Sequence, residues 1–199
     1  LAFISYHCDG AGSDARLLHS RLEKTLGKPV FLDTSDSDDL RRLLAEDVCG
    51  SRALPLLQTR DVLVRPWPLL ELFVGVRTGK QIVPVYVEGK GYSHEDARLT
   101  LQDLAATIER RNPGGLQQLE FQLQQLPVPA TVGELQQALM QTLPNAISVR
   151  FDPGGTDSHL NAVVLDIIDK VTGRRGPAVL SNIGRIKRAL SRQTSALFA

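Results

Sequence analysis

Trp67-Pro68-Leu69-Leu70-Glu71-Leu72, followed by the apolar run Ile82-Val83-Pro84-Val85-Tyr86-Val87, decides how this chain is read. The first stretch opens a helix with a carboxylate near its start, and the second is a buried strand. A carboxylate on a helix that leaves one strand and leads into the next can sit at the mouth of a parallel sheet, where open α/β folds bind ligands. On this helix, Trp67–Thr78, Leu69, Leu72, Phe73 and Val76 form a core stripe. The 3.6-residue period stacks Trp67 and Glu71 in a row roughly opposite that stripe, and Gly75 continues the row, leaving room beside the carboxylate.

Working outward, the same alternation repeats. Leu1 to Tyr6 is a short strand, and His7 to Ser13 a loop with Gly10 and Gly12. Asp14 to Leu26 is a helix with Ala15, Leu18, Leu22 and Leu26 on one face. Pro29 to Asp33 is a second strand. Ser37 or Asp38 caps a helix striped by Leu40, Leu43, Leu44 and Val48, which Gly50 ends. Ala53 to Gln58 is a third strand and Gln81 to Val87 a fourth. This β-α-β-α-β-α-β order argues for a parallel sheet covered on both faces. Pro55 and Pro84 fall inside two of these strands, where a ring nitrogen cannot donate to a ladder, so bulges or unpaired positions are expected there.

Extra helices follow before the last strand. Ser93 and Asp96 form a candidate capping box ahead of Ala97, Leu101, Leu104, Ala105 and Ile108. Asn112-Pro113-Gly114-Gly115 breaks that helix. Leu116, Leu119, Leu123 and Leu126 stripe a Gln-rich helix, and Thr131 with Glu134 forms a second candidate box before Leu135, Leu139 and Leu143. Ile147 to Phe151 is a fifth strand, and Leu160, Val163, Val164, Ile167, Ile168 and Val171 mark a final helix. The expected organisation is one domain over 1–173, with a helical insertion at 93–144, and a basic extension or linker over 174–199. Arg185, Lys187, Arg188 and Arg192 give that extension its charge, and any membrane contact would run through it.

Composition narrows the class. A chain of 199 residues, 42% hydrophobic and 23% charged, is ordinary for a globular protein, and a net charge of +1 gives no general affinity for nucleic acid. No apolar run is long enough to span a bilayer. Leu1 already lies inside a strand, which reads as a piece of a longer protein without a signal peptide. Cys8 and Cys49 are too few for a disulfide scaffold and favour a reducing, cytoplasmic setting. No zinc spacing, P-loop or Ser-His-Asp arrangement is present, and a phospho-receiver would want an Asp where Gln58-Thr59 stand.

Phe3-Ile4-Ser5-Tyr6, Val30-Phe31-Leu32-Asp33, Trp67 with Glu71-Leu72, and Ile82-Val83-Pro84-Val85 together resemble the Toll/interleukin-1 receptor (TIR) domain family, in its order and at its approximate spacing. The resemblance covers about residues 1–88 and the last strand and helix near 146–171. It implies a flavodoxin-like α/β fold, a five-stranded parallel sheet of order 2-1-3-4-5 with helices on both faces. It also implies the family's two activities: assembly through TIR–TIR contacts in innate-immune or cell-death signalling, and cleavage of NAD+. The departures are specific. The loop after the second strand, Thr34-Ser35-Asp36-Ser37-Asp38, lacks the Pro-Gly element common in the family, and Pro68 replaces the usual Cys after the Trp, at what the spacing makes the first helical position.

Glu71 falls on the family's catalytic glutamate. Breaking the nicotinamide–ribose bond passes through an oxocarbenium-like state, as glycoside hydrolysis does, and nicotinamide leaves neutral without a general acid. One carboxylate then suffices to stabilise the developing charge. Trp67 is a candidate to stack on a ring. Tyr6, His7 and Asp33, at the ends of the first two strands, are candidates to contact the NAD+ substrate; no metal and no prosthetic group are called for. A purely structural role for Glu71 at a helix start remains open. Two alternatives stand beside the NAD-cleaving enzyme. One is a non-catalytic TIR interaction module. The other is an ordinary dinucleotide-binding domain, suggested by Gly10-Ala11-Gly12-Ser13-Asp14-Ala15 with Asp33 downstream.

Overall fold

The computed structural model of the chain describes residues 2–32, 48 and 50–172. Its elements are β1 (Phe3–Ile4), α1 (Cys8–Leu26), β2 (Phe31–Leu32), β3 (Ala53–Gln58), a 3-10 turn (Val62–Val64), α2 (Pro66–Arg77) and β4 (Gln81–Val87), then α3 (His94–Gln102), α4 (Leu104–Arg111), α5 (Gly115–Gln124), α6 (Val132–Thr142), β5 (Val149–Phe151) and α7 (Asp157–Thr172). Asp33, the loop 34–38, the helix expected over 40–47 and the basic segment 174–199 lie outside the described residues.

The strands are parallel and short. They form two ladders, β1-β2 and β3-β4-β5, and not the single five-stranded sheet expected from the sequence. Isolated bridges Ala2↔Ala53 and Ser5↔Leu56 hold the two ladders side by side. Pro55 explains the break. The Ser5 N–H donates to the Pro55 carbonyl and the Leu57 N–H to the Ser5 carbonyl, both at 2.9 Å. The next rung back would run from the nitrogen of Pro55 to the carbonyl of Phe3, and proline has no proton to give. Pro84 does no such damage. The Gln81 N–H donates toward β3 and the Glu88 N–H toward β5, to Phe151. Alternation therefore turns the nitrogen of Pro84 toward β5, opposite Ser148, one residue before that strand begins.

Period-two alternation splits the core into two layers. Ile4, Ala53, Leu57, Val83, Val85, Val87 and Phe151 pack on α1 and α7. Phe3, Leu54, Leu56 and Ile82 pack on α2, and this second core continues through Leu101, Leu104, Ile108, Leu119, Leu123, Leu135 and Leu139 of the helices between β4 and β5. Those helices thus bury the far side of α2. Their ends are fixed locally. Thr131 and Glu134 close a reciprocal capping box at the start of α6. Ser93 accepts the Asp96 N–H at 3.2 Å at the start of α3, whereas the Asp96 carboxylate turns to Arg111. The glycines at 10 and 12 lie inside α1, which begins at Cys8 and kinks at Ala11, and not in a loop as the sequence suggests.

Candidate functional site

The head of α2 lies where β3 ends. Pro66 takes the first helical position, two residues before the Pro68 expected from sequence. Pro66 and all residues from Pro68 to Gly75 are buried, as befits a helix apolar on nearly every side. Gly75 sits against the sheet: an added Cβ would stand 3.4 Å from Ile82 Cδ1 and 3.7 Å from Leu54 Cδ2. Glu71, one turn earlier on the same row, therefore faces the sheet and is 2% exposed. This corrects the expectation of a carboxylate on an open face with room supplied by Gly75. Both sides of α2 are covered, because the inserted helices pack on the side opposite the sheet.

The other candidates are partly gathered. Trp67 is half-buried against the α2-side core. Tyr6 packs with the α1–α7 core, on the opposite face of the sheet from Glu71. His7 caps α1 at the end of β1, and its imidazole lies near Gly10, which in turn approaches Thr59 at the end of β3: a Cβ at Gly10 would be 3.1 Å from Thr59 Oγ1 and 3.8 Å from His7 Cδ2. Burial first, and then the Arg65 guanidinium, hold the His7 pKa below its usual 6.5, while Asp9 and Asp61 pull it up. His7 is thus neutral at neutral pH and close to Arg65, the residue that caps α2.

The loop from Thr59 to Arg65 carries features that sequence reasoning missed. Asp61 adopts a left-handed backbone, φ 64°. Its carboxylate is gripped by Arg111 from the end of α4, with Nε at 3.0 Å and a second, shorter contact from Nη2. Arg111 Nη1 also reaches Asp96 at 2.7 Å. An open pocket of about 20 Å³, room for a single water, is lined in part by the clamp residues Asp61, Asp96 and Arg111 together with Thr59 and Tyr92. Neither Glu71 nor Trp67 lines it. The Arg60 N–H donates to the Lys90 carbonyl at 2.8 Å, and the Lys90 ammonium meets Asp14 of α1 at 2.9 Å. Thr59 is 1% exposed, and its Oγ1 has no hydrogen-bond partner among the described residues. Arg65 Nε is likewise buried without one, and among the described residues Arg65 enters no ion pair. The signal available in the sequence was thin: an arginine immediately before a proline helix start, and a threonine following a strand.

Next to this loop, Tyr86, Tyr92 and His94 form an aromatic group, with His94 stacked on Tyr86 at 6.0 Å and edge-on to Tyr92 at 5.2 Å. Ser148 Oγ donates to Gln58 Oε1 at 2.7 Å. Burial pushes the Tyr92 phenol up to about 12, against a hydrogen bond to Gln58 that lowers it; Asp96 adds to the rise. The dinucleotide fingerprint at Gly10–Ala15 is spent internally. The N–H groups of Gly10 and Ala11 both donate to the His7 carbonyl, at 3.1 and 3.0 Å, so they do not point outward as a phosphate cradle would need. Among the described residues no group of His, Cys, Asp and Glu could hold a metal ion, and no helix is long and apolar enough to cross a membrane.

No protein-family model and no curated protein matches the chain. Solved structures do. The chain is similar to the TIR domains in the structure of the activated Roq1 resistosome directly recognising the pathogen effector XopQ, with a TM-score of 0.56 at 15% identity over 85% of this chain and 98% of that one. At that identity the likeness is one of architecture: the chain has an α/β fold of parallel strands and covering helices, similar to that of a TIR domain.

Proposed function

We propose that this is a TIR-type signalling domain that cleaves NAD+, with Glu71 as the catalytic carboxylate. The observation that carries the proposal is the burial of Glu71, 2% exposed, on the side of α2 that faces the sheet. Even with a partner, an ionisable acid buried between a helix and a sheet generally stabilises a fold no more than a well-packed apolar side chain would. Stability alone would place a leucine there, as at Leu70 and Leu72, so the carboxylate answers to a task. A TIR-like fold supplies the context in which that task is glycosidic cleavage.

The chemistry balances with one acid. The bond between the ribose C1′ and the nicotinamide nitrogen breaks, and its electron pair goes to the nitrogen, which leaves uncharged. Positive charge gathers on C1′ and the ring oxygen, where the Glu71 carboxylate offsets it. A water oxygen then bonds to C1′ and releases one proton to solvent, giving ADP-ribose and nicotinamide. Trp67, two positions into the helix, offers a ring face to the base or ribose.

Burial also dictates regulation. In this form substrate cannot touch Glu71, so cleavage requires the elements around the head of α2 to shift. Self-association of TIR domains is the step that supplies this shift, in innate-immune or cell-death signalling in the cytoplasm. Activity should therefore rise faster than linearly with protein concentration. The same burial favours one rival, a TIR interaction module whose acid is never exposed. Nicotinamide release from NAD+, followed from dilute to concentrated protein, separates them: superlinear release supports the enzyme, and no release at any concentration supports the module.

A further inference from the structure

We propose that Arg65 and Thr59, at the two ends of the loop between β3 and α2, hold a phosphate group of the substrate, one ribose away from Glu71. The inference deepens the NAD-cleaving reading and rests on it. It starts from two buried polar atoms without partners among the described residues, Arg65 Nε and Thr59 Oγ1. Buried polar groups are nearly always hydrogen-bonded, so two in one loop call for an explanation. Thr59 is 1% exposed and directly follows β3; Arg65 caps α2. His7 lies on the same side as Thr59, since both approach Gly10.

The chemistry of the group selects its ligand. Arginine offers only donors, and a threonine hydroxyl can offer one. A neutral imidazole can donate from one nitrogen. Neither nearby acid pairs with Arg65: the Asp61 carboxylate is taken by Arg111, and that of Asp9, 88% exposed, lies 3.7 Å from His7 Nε2. A cation among donors, with no acid paired to it among the described residues, suits an acceptor-rich anion such as a phosphate. The helix start itself cannot do this work. Pro66 and Pro68 carry no N–H, so of the first three helical positions only Trp67 keeps an outward donor. Recognition falls on the side chain. The spacing also fits. A rise of about 1.5 Å per residue places Arg65 roughly 9 Å from Glu71 along the helix, a span that the arginine side chain and one ribose can bridge. The shift that uncovers Glu71 uncovers this group too, since both flank the head of α2.

The test has two arms. In the first, inorganic pyrophosphate is titrated into wild-type protein, Arg65→Gln, Arg65→Lys and Thr59→Val at the high concentrations at which the domain self-associates, each checked for native circular dichroism. Wild type should bind, Arg65→Gln should weaken binding about tenfold or more, Arg65→Lys should fall between them, and Thr59→Val should lose less. In the second arm, concentrated protein is given NAD+ or nicotinamide riboside, which lacks phosphate. Arg65→Gln should raise KM for NAD+ with kcat held, and leave cleavage of the riboside as it was. Pyrophosphate binding that is absent from wild type or unaltered in Arg65→Gln overturns the proposal, as does an equal loss on both substrates. Should wild type cleave neither substrate, the NAD-cleaving reading fails, and the pyrophosphate titration still decides the phosphate site.

Discussion

Arg111→Ala tests whether the helices between β4 and β5 brace the loop that leads into α2. Arg111 donates twice to Asp61 and once to Asp96. Its side chain is 24% exposed and that of Asp61 29%, whereas Asp96 is 55% exposed. A protected hydrogen bond to a charged group contributes about 1.5–3 kcal/mol, and partial exposure argues for the lower end. The Asp96 contact, open to solvent, adds about 0.5 kcal/mol. Arg111→Ala should therefore destabilise by about 2 kcal/mol, lowering Tm by roughly 4–8 °C for a domain of this size. Lysine cannot reproduce the planar fork, so Arg111→Lys should restore less than half of the loss. Urea unfolding of Arg111→Ala, Asp61→Asn and the double variant gives the coupling directly, expected at about 1 kcal/mol or more. Asparagine suits the left-handed backbone at 61 and so removes the charge without adding strain. An Arg111→Ala variant within about 0.5 kcal/mol of wild type, or a coupling near zero, would show that the clamp does not brace the loop.

Three further outcomes follow from the same structure. Pro55→Ala restores the donor that the Phe3 carbonyl lacks, so β1 and β3 should join in one ladder and the new backbone N–H at that position should be strongly protected in hydrogen exchange; rapid exchange there would refute the explanation of the split sheet. The lowered pKa of His7 means that the unfolded chain takes up a proton the folded chain resists. Stability should fall as pH drops below 6.5 and level off below the folded pKa, and His7→Asn should flatten that part of the slope in urea melts; an unchanged slope would count against it. The Tyr92 phenol, raised from 10.0 to about 12, should ionise in a late phase, well above 10.0, in an ultraviolet titration. Stability should decline as pH rises through that window, because the unfolded chain ionises first, and Tyr92→Phe should abolish the late phase.

The β-α alternation was legible because short apolar runs and amphipathic stripes announce buried strands and surface helices. The capping box at Thr131 and Glu134 was legible for the same local reason. Non-local consequences were not. Pro55 signalled trouble in its strand, but only the register against β1 shows that the missing proton belongs to a rung from Phe3. The stripe Leu69, Leu72, Phe73 and Val76 reads, from periodicity alone, as the side that meets the sheet. In the fold the inserted helices give α2 a second apolar neighbour, and the row of Glu71 and Gly75 turns inward. Periodicity finds an apolar face but cannot say which neighbour covers it. The Asp61–Arg111–Asp96 clamp joins residues up to fifty positions apart, and no local pattern marks such a pair. Glu71 and Trp67 were marked by the helix pattern and given their roles by a family likeness, while Arg65 and Thr59 needed the packing around them.

The most direct measurement is nicotinamide release from NAD+ by concentrated wild-type protein beside Glu71→Gln, which keeps the shape and removes the charge. Wild type should release nicotinamide with a superlinear dependence on concentration. The variant should retain native circular dichroism and lose activity by about 10²–10³-fold, the loss typical of removing one transition-state stabiliser. Equal release by the two proteins, or none by wild type at any concentration, would contradict a catalytic Glu71.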